Sequence, residues 1–182
     1  MPVYIAFLRG INVGGHNKIR MADLRETLAK LDLHNLKTYI QSGNILFNSE
    51  ENEEDLQKKI ALQIEDAFDI STPVVLRTAE QLQQIIQQCP FSNETLTAAA
   101  ATAKGESLHV ALLPEAPGED GVNKLLSYTD EKEHGIVSGR DVYLLFHDSI
   151  RNSKLGNNLK KLGVPATVRN WKTLKKLTDM AE

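Results

Sequence analysis

The stretch of the sequence best suited to chemistry runs from Arg9 to Lys18, Arg-Gly-Ile-Asn-Val-Gly-Gly-His-Asn-Lys, and directly follows an apolar run. It combines three glycines, two asparagines and three basic or potentially basic side chains, namely Arg9, His16 and Lys18. Glycine lets the backbone adopt positive φ and approach a ligand closely, and the N–H groups that open a following helix favour negative charge. The stretch therefore predicts an anion-binding loop.

Gly10 and Gly15 have the spacing of the two glycines in a phosphate-binding P-loop, but the residues that follow do not match. His16 stands where the P-loop lysine belongs, and Asn17 stands where Ser or Thr would hold magnesium. A dinucleotide-binding G-x-G-x-x-G pattern is also absent. We therefore expect neither a nucleoside-triphosphatase of the P-loop class nor a Rossmann enzyme.

A structural interpretation of the same stretch is also available. The glycines would only let a long loop fold back across its sheet, while Asn12 and Asn17 bond their own backbone. We favour binding, because a turn alone does not need the charge of Arg9, His16 and Lys18. The loop residues predicted to contact a ligand are Arg9, Gly10, Asn12, Gly14, Gly15, Asn17 and Lys18.

Three residues outside the loop complete the candidate binding set. Ser42 and Asn44 flank Gly43 and can place a hydroxyl and an amide on a ligand. Glycine and asparagine also supply the positive φ of a tight hairpin, and a turn is the favoured interpretation. Arg169 precedes Asn170, which is predicted to cap a helix, and Arg169 itself has no such structural explanation.

No catalytic constellation is visible, so catalytic residues stay unassigned. The five histidines lack metal-ligand spacing, and neither H-E-x-x-H nor G-x-S-x-G occurs. A single cysteine, Cys89, excludes an internal disulfide and a cysteine metal cluster. Ser153-Lys154 lacks the spacing of an S-x-x-K nucleophile pair, and Ser153 is predicted to cap a helix. We expect no metal and no cofactor.

The 182 residues have an ordinary globular composition, with 41% hydrophobic and 25% charged residues. Net charge is −3, yet residues 1–46 carry six Lys/Arg against three Asp/Glu, and residues 151–182 carry eight against two. Such basic ends can attract a phosphate-bearing partner, or they are simply solvated helix faces. Apolar runs fall far short of the roughly 20 residues that span a bilayer, so we expect a cytoplasmic protein with no membrane partner.

Hydrophobic periodicity gives two halves with the same element order, β-α-β-β-α-β-α. Residues 1–90 are predicted to form one subdomain and residues 107–182 another, with residues 91–106 as a linker or a loosely held helix. Arg77 in the first half parallels Arg169 in the second. The predicted fold class is α+β, a duplication of ferredoxin-like (β-α-β-β-α-β) units, each an antiparallel sheet with helices on one face.

This topology carries further expectations. We expect the first β-α loop and the hairpin at Gly43 to lie at opposite ends of one sheet, so that they share a site only across the two halves or between two chains. Thr78 and Gln81 have the capping-box pattern of a helix start. A helix that begins after Ser153 is predicted to end at Gly163.

The loop also carries a family resemblance. Arg9-Gly10-Ile11-Asn12-Val13-Gly14-Gly15-His16-Asn17-Lys18, with Tyr39-Ile40-Gln41-Ser42-Gly43-Asn44 after it, resembles the bacterial domain of unknown function 1697 family. The resemblance covers nearly the whole length, because Ser153-Lys154-Leu155 and Arg169-Asn170-Trp171 are similar to that family's later motifs. It implies a two-subdomain α+β fold of ferredoxin-like character and supplies no established activity.

Three hypotheses for function follow. The leading one is a module that binds a phosphorylated ligand, either a nucleotide or a nucleic-acid strand, at the Arg9 to Lys18 loop. The main alternative is a small enzyme with its site between the two halves, where Arg9, Asn12, Lys18 and Arg169 stabilise an anionic substrate. The third is a structural or self-associating protein, for which a homo-oligomer is one of the partners considered. Aromatic residues are only 5% of the chain, which favours phosphate contacts over base stacking on a sheet.

Overall fold

The computed structural model describes all 182 residues and contains two four-stranded antiparallel sheets. The first sheet has the strand order β2-β3-β1-β4 and consists of β1 (Val3–Leu8), β2 (His34–Tyr39), β3 (Asn44–Asn48) and β4 (Val74–Thr78). The second has the order β6-β7-β5-β8 and consists of β5 (Leu108–Leu112), β6 (Glu133–Ser138), β7 (Asp141–Phe146) and β8 (Thr167–Asn170). The helices are α1 (Met21–Leu28), α2 (Glu53–Phe68), α3 (Ala79–Gln87), α4 (Asn93–Thr102), α5 (Glu119–Leu126), α6 (Lys154–Asn157) and α7 (Trp171–Met180).

The identical strand order confirms the predicted α+β fold of two duplicated units. The equivalence extends to the register of the strands, since Ile5 lies opposite Arg77 in the first sheet and Val110 lies opposite Arg169 in the second. Backbone contacts group residues 1–83 with 177–182 in one compact unit and residues 84–176 in another. The predicted division into subdomains of residues 1–90 and 107–182 with residues 91–106 as a linker stays a prediction.

The core of the first unit follows from the two-residue repeat of apolar residues in its strands and from the helical repeat in α1 and α2. Alternate residues of β1, Tyr4, Ala6 and Leu8, point to the same face of the sheet. Against that face pack the apolar stripes of α1 and α2, which supply Leu24, Leu28, Leu56, Ile60 and Ile64. Fully burying a side chain of this size contributes about 1.5 to 3 kcal/mol, so this face holds the unit together.

The second unit has a similar core with a less regular helix. Leu155 of α6 and Leu162 join the core, as the pattern predicts, but the predicted single helix after Ser153 is wrong. The helix stops at Asn158, whose side-chain amide donates to the Lys154 carbonyl at 2.7 Å and competes with the backbone ladder. A 3₁₀ helix over Leu159–Leu162 follows, and Gly163 ends it in the left-handed conformation.

Three helix caps predicted from the sequence are present. The Gln81 N–H donates to Thr78 Oγ1 at 3.1 Å, and the Thr78 N–H donates back to Gln81 Oε1 at 2.9 Å. Ser153 Oγ accepts from the N–H three residues later at 2.8 Å, and Asn170 Oδ1 does the same at 2.8 Å.

Of the two alternatives for residues 91–106, the structure has a helix, α4. No helix of the chain combines the length and the apolar character needed to cross a membrane.

The hairpin between β2 and β3 is closely packed against β1. The Leu8 N–H donates to the Gly43 carbonyl at 2.9 Å, and Gly43 has φ 89°. The expectation that Asn44 also supplies a positive φ is wrong, because Asn44 belongs to β3 and Ile40 takes the second positive φ, at 50°. A β-branched residue in this conformation is strained, so the packing around the hairpin must hold it there.

We predict that Gly43→Ala destabilises the protein more than Gly139→Ala, which changes the equivalent glycine of the β6–β7 hairpin. Both have positive φ, so both substitutions carry the backbone strain of about 1 to 2 kcal/mol. A Cβ at Gly43 would lie 2.7 Å from Ile11 Cδ1 and 2.9 Å from Leu8 Cβ, whereas a Cβ at Gly139 meets nothing within 4 Å. Urea unfolding should therefore show an additional loss of about 1 to 3 kcal/mol for Gly43→Ala, and equal losses would contradict the packing argument.

His109 on β5 makes the stability of the protein depend on pH. It is buried against Phe146, its Nδ1 has no hydrogen-bond partner, and burial lowers its pKa to about 4. An unfolded histidine has a pKa near 6.5, so between the two values the unfolded chain binds more protons. The stabilising effect is present above pH ~6.5 and is lost as pH falls towards the folded pKa.

We predict that the free energy of unfolding falls by about 2 to 3 kcal/mol more in the wild type than in His109→Gln between pH ~6.5 and ~4. The glutamine cannot take up the proton that the unfolded histidine binds. Urea titrations at a series of pH values measure the two slopes. If the unfolding free energies of the two proteins change equally with pH, His109 takes up its proton in the folded protein as readily as in the unfolded chain.

Candidate functional site

The Arg9 to Lys18 loop folds back on itself as a small hairpin. The His16 N–H donates to the Val13 carbonyl at 2.9 Å, and Gly14 and Gly15 at its tip have φ of 57° and 79°. Positive φ at both central residues is the signature of the tight I′ turn. Turn geometry therefore accounts for these two glycines, in agreement with the structural interpretation of the loop.

Asn12 holds the loop in place through hydrogen bonds from both the nitrogen and the oxygen of its side-chain amide. Its Nδ2 donates to the carbonyls of Ile19 at 2.9 Å and Gln41 at 2.8 Å, and its Oδ1 accepts from the Ile19 N–H at 2.8 Å. Asn17 plays a smaller part, donating from its amide to the Gly10 carbonyl at 3.1 Å. Both residues have positive φ, which asparagine tolerates better than most side chains. Their amides shape the loop.

The bond from Asn12 to Gln41 joins the loop to the β2–β3 hairpin within one unit. The expectation that these two segments lie at opposite ends of the sheet is wrong. Because β1 runs antiparallel to β3, the end of β1 lies beside the start of β3, with Phe7 opposite Asn44. The loop after β1 and the hairpin before β3 therefore meet at the same end, and no second half or second chain is needed to bring them together.

A pocket of about 490 Å³ opens where the two segments meet. Of the predicted residues, Asn12, Gly15 and Lys18 line it. The lining residues that the sequence reasoning missed are Ile19, Arg20, Asp23, Gln41 and Phe68. Phe68 ends α2, which runs antiparallel to α1 in this topology, so tracing element directions would have placed it at this end.

The remaining residues of the loop and hairpin set do not line the pocket. Arg9 is exposed, and its backbone is tied to Thr72, whose Oγ1 accepts from the Arg9 N–H at 3.2 Å. Gly10 and Gly14, in the same loop as Arg9, have positive φ. Asn44 is buried and donates to the Tyr39 carbonyl at 2.9 Å and to Ser42 Oγ at 3.0 Å, which closes the hairpin.

Arg169 belongs to the second unit and is not among the residues that line this pocket. It is only 8% exposed, its Nη1 donates to the Val168 carbonyl at 3.0 Å, and burial lowers its pKa to about 10. Arg77, its equivalent in the first unit, is also buried and donates to the preceding carbonyl at 2.8 Å. A buried arginine on the last strand of each sheet is thus a repeated feature of the fold.

The charges at the pocket are unequally paired. Arg20 donates to Asp23 at 2.9 and 3.3 Å, and this hydrogen bond lowers the pKa of Asp23 and raises that of Arg20. The Lys18 ammonium makes no ion pair or hydrogen bond. Arg20 precedes α1 without capping it, so the first N–H groups of that helix have no side-chain acceptor. The pocket can therefore take a small anion.

We predict that Asn12→Gly destabilises the protein by about 2 kcal/mol, since it removes three hydrogen bonds worth about 0.5 to 1.5 kcal/mol each and keeps the positive φ without strain. The matched control is Asn17→Gly, which removes one exposed bond and should cost less than about 1 kcal/mol. Urea unfolding compares the two. Equal losses would mean that Asn12 does not hold the loop to the hairpin.

Comparison with known proteins agrees with this fold. The family described as "Protein of unknown function (DUF1697)" matches residues 1–143. The conserved bacterial protein SP0830 from Streptococcus pneumoniae has a similar structure, with a TM-score of 0.73 and 23% sequence identity over 100% of this chain and 99% of that chain. At that identity the likeness shows the fold alone. No curated protein matches. The family match covers most of the sequence, and the chain belongs to the DUF1697 family.

Proposed function

We propose that the protein is a binding module for a phosphorylated ligand, a nucleotide or a nucleic acid, held in the pocket beside the Arg9 to Lys18 loop. The observation that carries the proposal is a difference between the duplicated units. Residues 9–20 connect β1 to α1, whereas only residues 113–118 connect β5 to α5. The same topology is built with a connection half as long, so the fold does not require the longer one.

The longer connection also differs in charge. It contains Arg9, Lys18 and Arg20 together with His16, and it has no acidic residue. The short connection has no basic residue, and its one charged side chain is Glu115. Lysine and arginine side chains donate charge-assisted hydrogen bonds to phosphate oxygens, which are stronger than bonds between neutral groups. The extra length and the charge together support an anion as the ligand.

The geometry of the pocket favours binding over turnover. Its one carboxylate, Asp23, is held by Arg20, and the lining has no serine, cysteine or histidine that could act as a nucleophile beside a base. The proposal is recognition of a phosphate by Lys18.

We predict that Lys18→Ala weakens binding of phosphorylated compounds about 10- to 100-fold, as expected for one charge-assisted hydrogen bond. The unfolding free energy should change by about 0.5 kcal/mol or less, because Lys18 is exposed. A thermal-shift screen of nucleotides, sugar phosphates and short oligonucleotides identifies the compounds to titrate, since a ligand at 100 times its Kd adds about 2.7 kcal/mol of stability.

The matched control is Lys30→Ala, which removes the same charge just beyond the opposite end of α1. It should leave binding unchanged. Equal weakening by the two variants would point to general charge attraction, and a screen without any stabilising compound would remove the basis for the proposal. A loss of stability in Lys18→Ala with unchanged binding per folded molecule would give the loop a purely structural role.

A further inference from the structure

The pocket lining combines apolar and polar residues, and this combination bears on which phosphorylated compound fits. The apolar residues are Ile19, which is buried, and Phe68. The polar residues are Lys18, the Arg20–Asp23 pair and Gln41. A ligand that contacts both kinds of residue needs an apolar, flat part and an anionic part. Free phosphate would leave the apolar residues without a contact.

Phe68 is held so that its ring remains available. It is the last residue of α2, and Asp69 after it takes the left-handed conformation with φ 56°, which turns the chain away. Phe68 is half-buried, packs against the core of the first unit and also lines the pocket. An aromatic residue at a pocket can stack on a planar ring such as a nucleobase.

The charge of the lining matches a single phosphate group. Arg20 and Asp23 neutralise each other across bonds of 2.9 and 3.3 Å, which leaves the charge of Lys18 without a counter-ion. A triphosphate would bring several negative charges to one unpaired cation and close to the Asp23 carboxylate. Like charges at short range are unfavourable, so each added phosphate should weaken binding.

Gln41 gives the pocket a side chain that can form hydrogen bonds to the polar edge of a nucleobase. Its backbone carbonyl is fixed by the Asn12 amide at 2.8 Å, and its exposed side chain offers both donors and an acceptor. The volume of about 490 Å³ lies within the ordinary range of small-molecule sites, about 300 to 1,000 Å³. A nucleic-acid strand needs an extended groove, whereas this pocket is a single concave site.

We infer that the ligand of this pocket is a nucleoside monophosphate, with its base on Phe68 and its phosphate at Lys18. This inference rests on the proposed function and narrows it from phosphorylated ligands in general to a base with one phosphate. A low content of aromatic residues disfavours base stacking on the surface of a sheet, whereas Phe68 belongs to a helix and lines a pocket.

The test is isothermal titration calorimetry of the whole chain with the four ribonucleoside monophosphates, the matching triphosphates, ribose 5-phosphate and a 12-nucleotide single strand. We expect at least one monophosphate to bind about tenfold or more tightly than its triphosphate, than ribose 5-phosphate and than the strand. Phe68→Leu should weaken binding of the monophosphate about tenfold, because it removes the stacking surface, and should leave binding of ribose 5-phosphate unchanged. Leu62→Ala, an exposed apolar change on the same helix, should alter the binding of neither compound.

A second variant keeps the inference testable if Phe68→Leu loosens the core. Asp23→Asn removes the counter-charge of Arg20 and should narrow the preference for monophosphate over triphosphate several-fold. Equal or tighter binding of the triphosphate, the sugar phosphate or the strand would overturn the inference and leave the proposed function standing. If none of the compounds binds, both fail. Binding of the monophosphate that is weakened by Phe68→Leu but unchanged in Lys18→Ala would also overturn the placement of the phosphate at Lys18.

Discussion

The hydrogen bonds of one side chain, Asn12, link the two segments on which the candidate site depends. Its amide donates to the carbonyls of Ile19 and Gln41 and accepts from the Ile19 N–H, so it links the end of the β1–α1 loop to the neighbouring hairpin. These three backbone groups would otherwise need water or other partners. The pocket opens where the two segments linked in this way meet.

The duplicated architecture separates what the fold requires from what one unit has added. Both units have the same strand order, the same register at Arg77 and Arg169, and a glycine with positive φ in the central hairpin. The basic connection and the pocket beside it belong to the first unit. The second unit acts as an internal reference, since its six-residue connection closes the same topology without a basic residue.

The sequence predicted best the features that depend on neighbouring residues. The cap at Thr78 and the cap at Asn170 involve partners three residues away, and such local hydrogen bonds are visible in the sequence. The helix after Ser153 was less predictable, because the side chain of Asn158 competes with the backbone that its apolar spacing favours. Which residues line the pocket depends on contacts between distant elements. Phe68 and Gln41 carry no local sign of their role, although the direction of helix α2 and of strands β1 and β3 would have placed them beside the loop.

The division of the chain has a consequence for how the protein is made. Residues 177–182 belong to the same compact unit as residues 1–83, while residues 84–176 form the other. During synthesis the ribosome releases the whole of the second unit before residues 177–182. The unit that carries the pocket is therefore complete only after the intervening unit has been translated, so the unit that begins first is finished second.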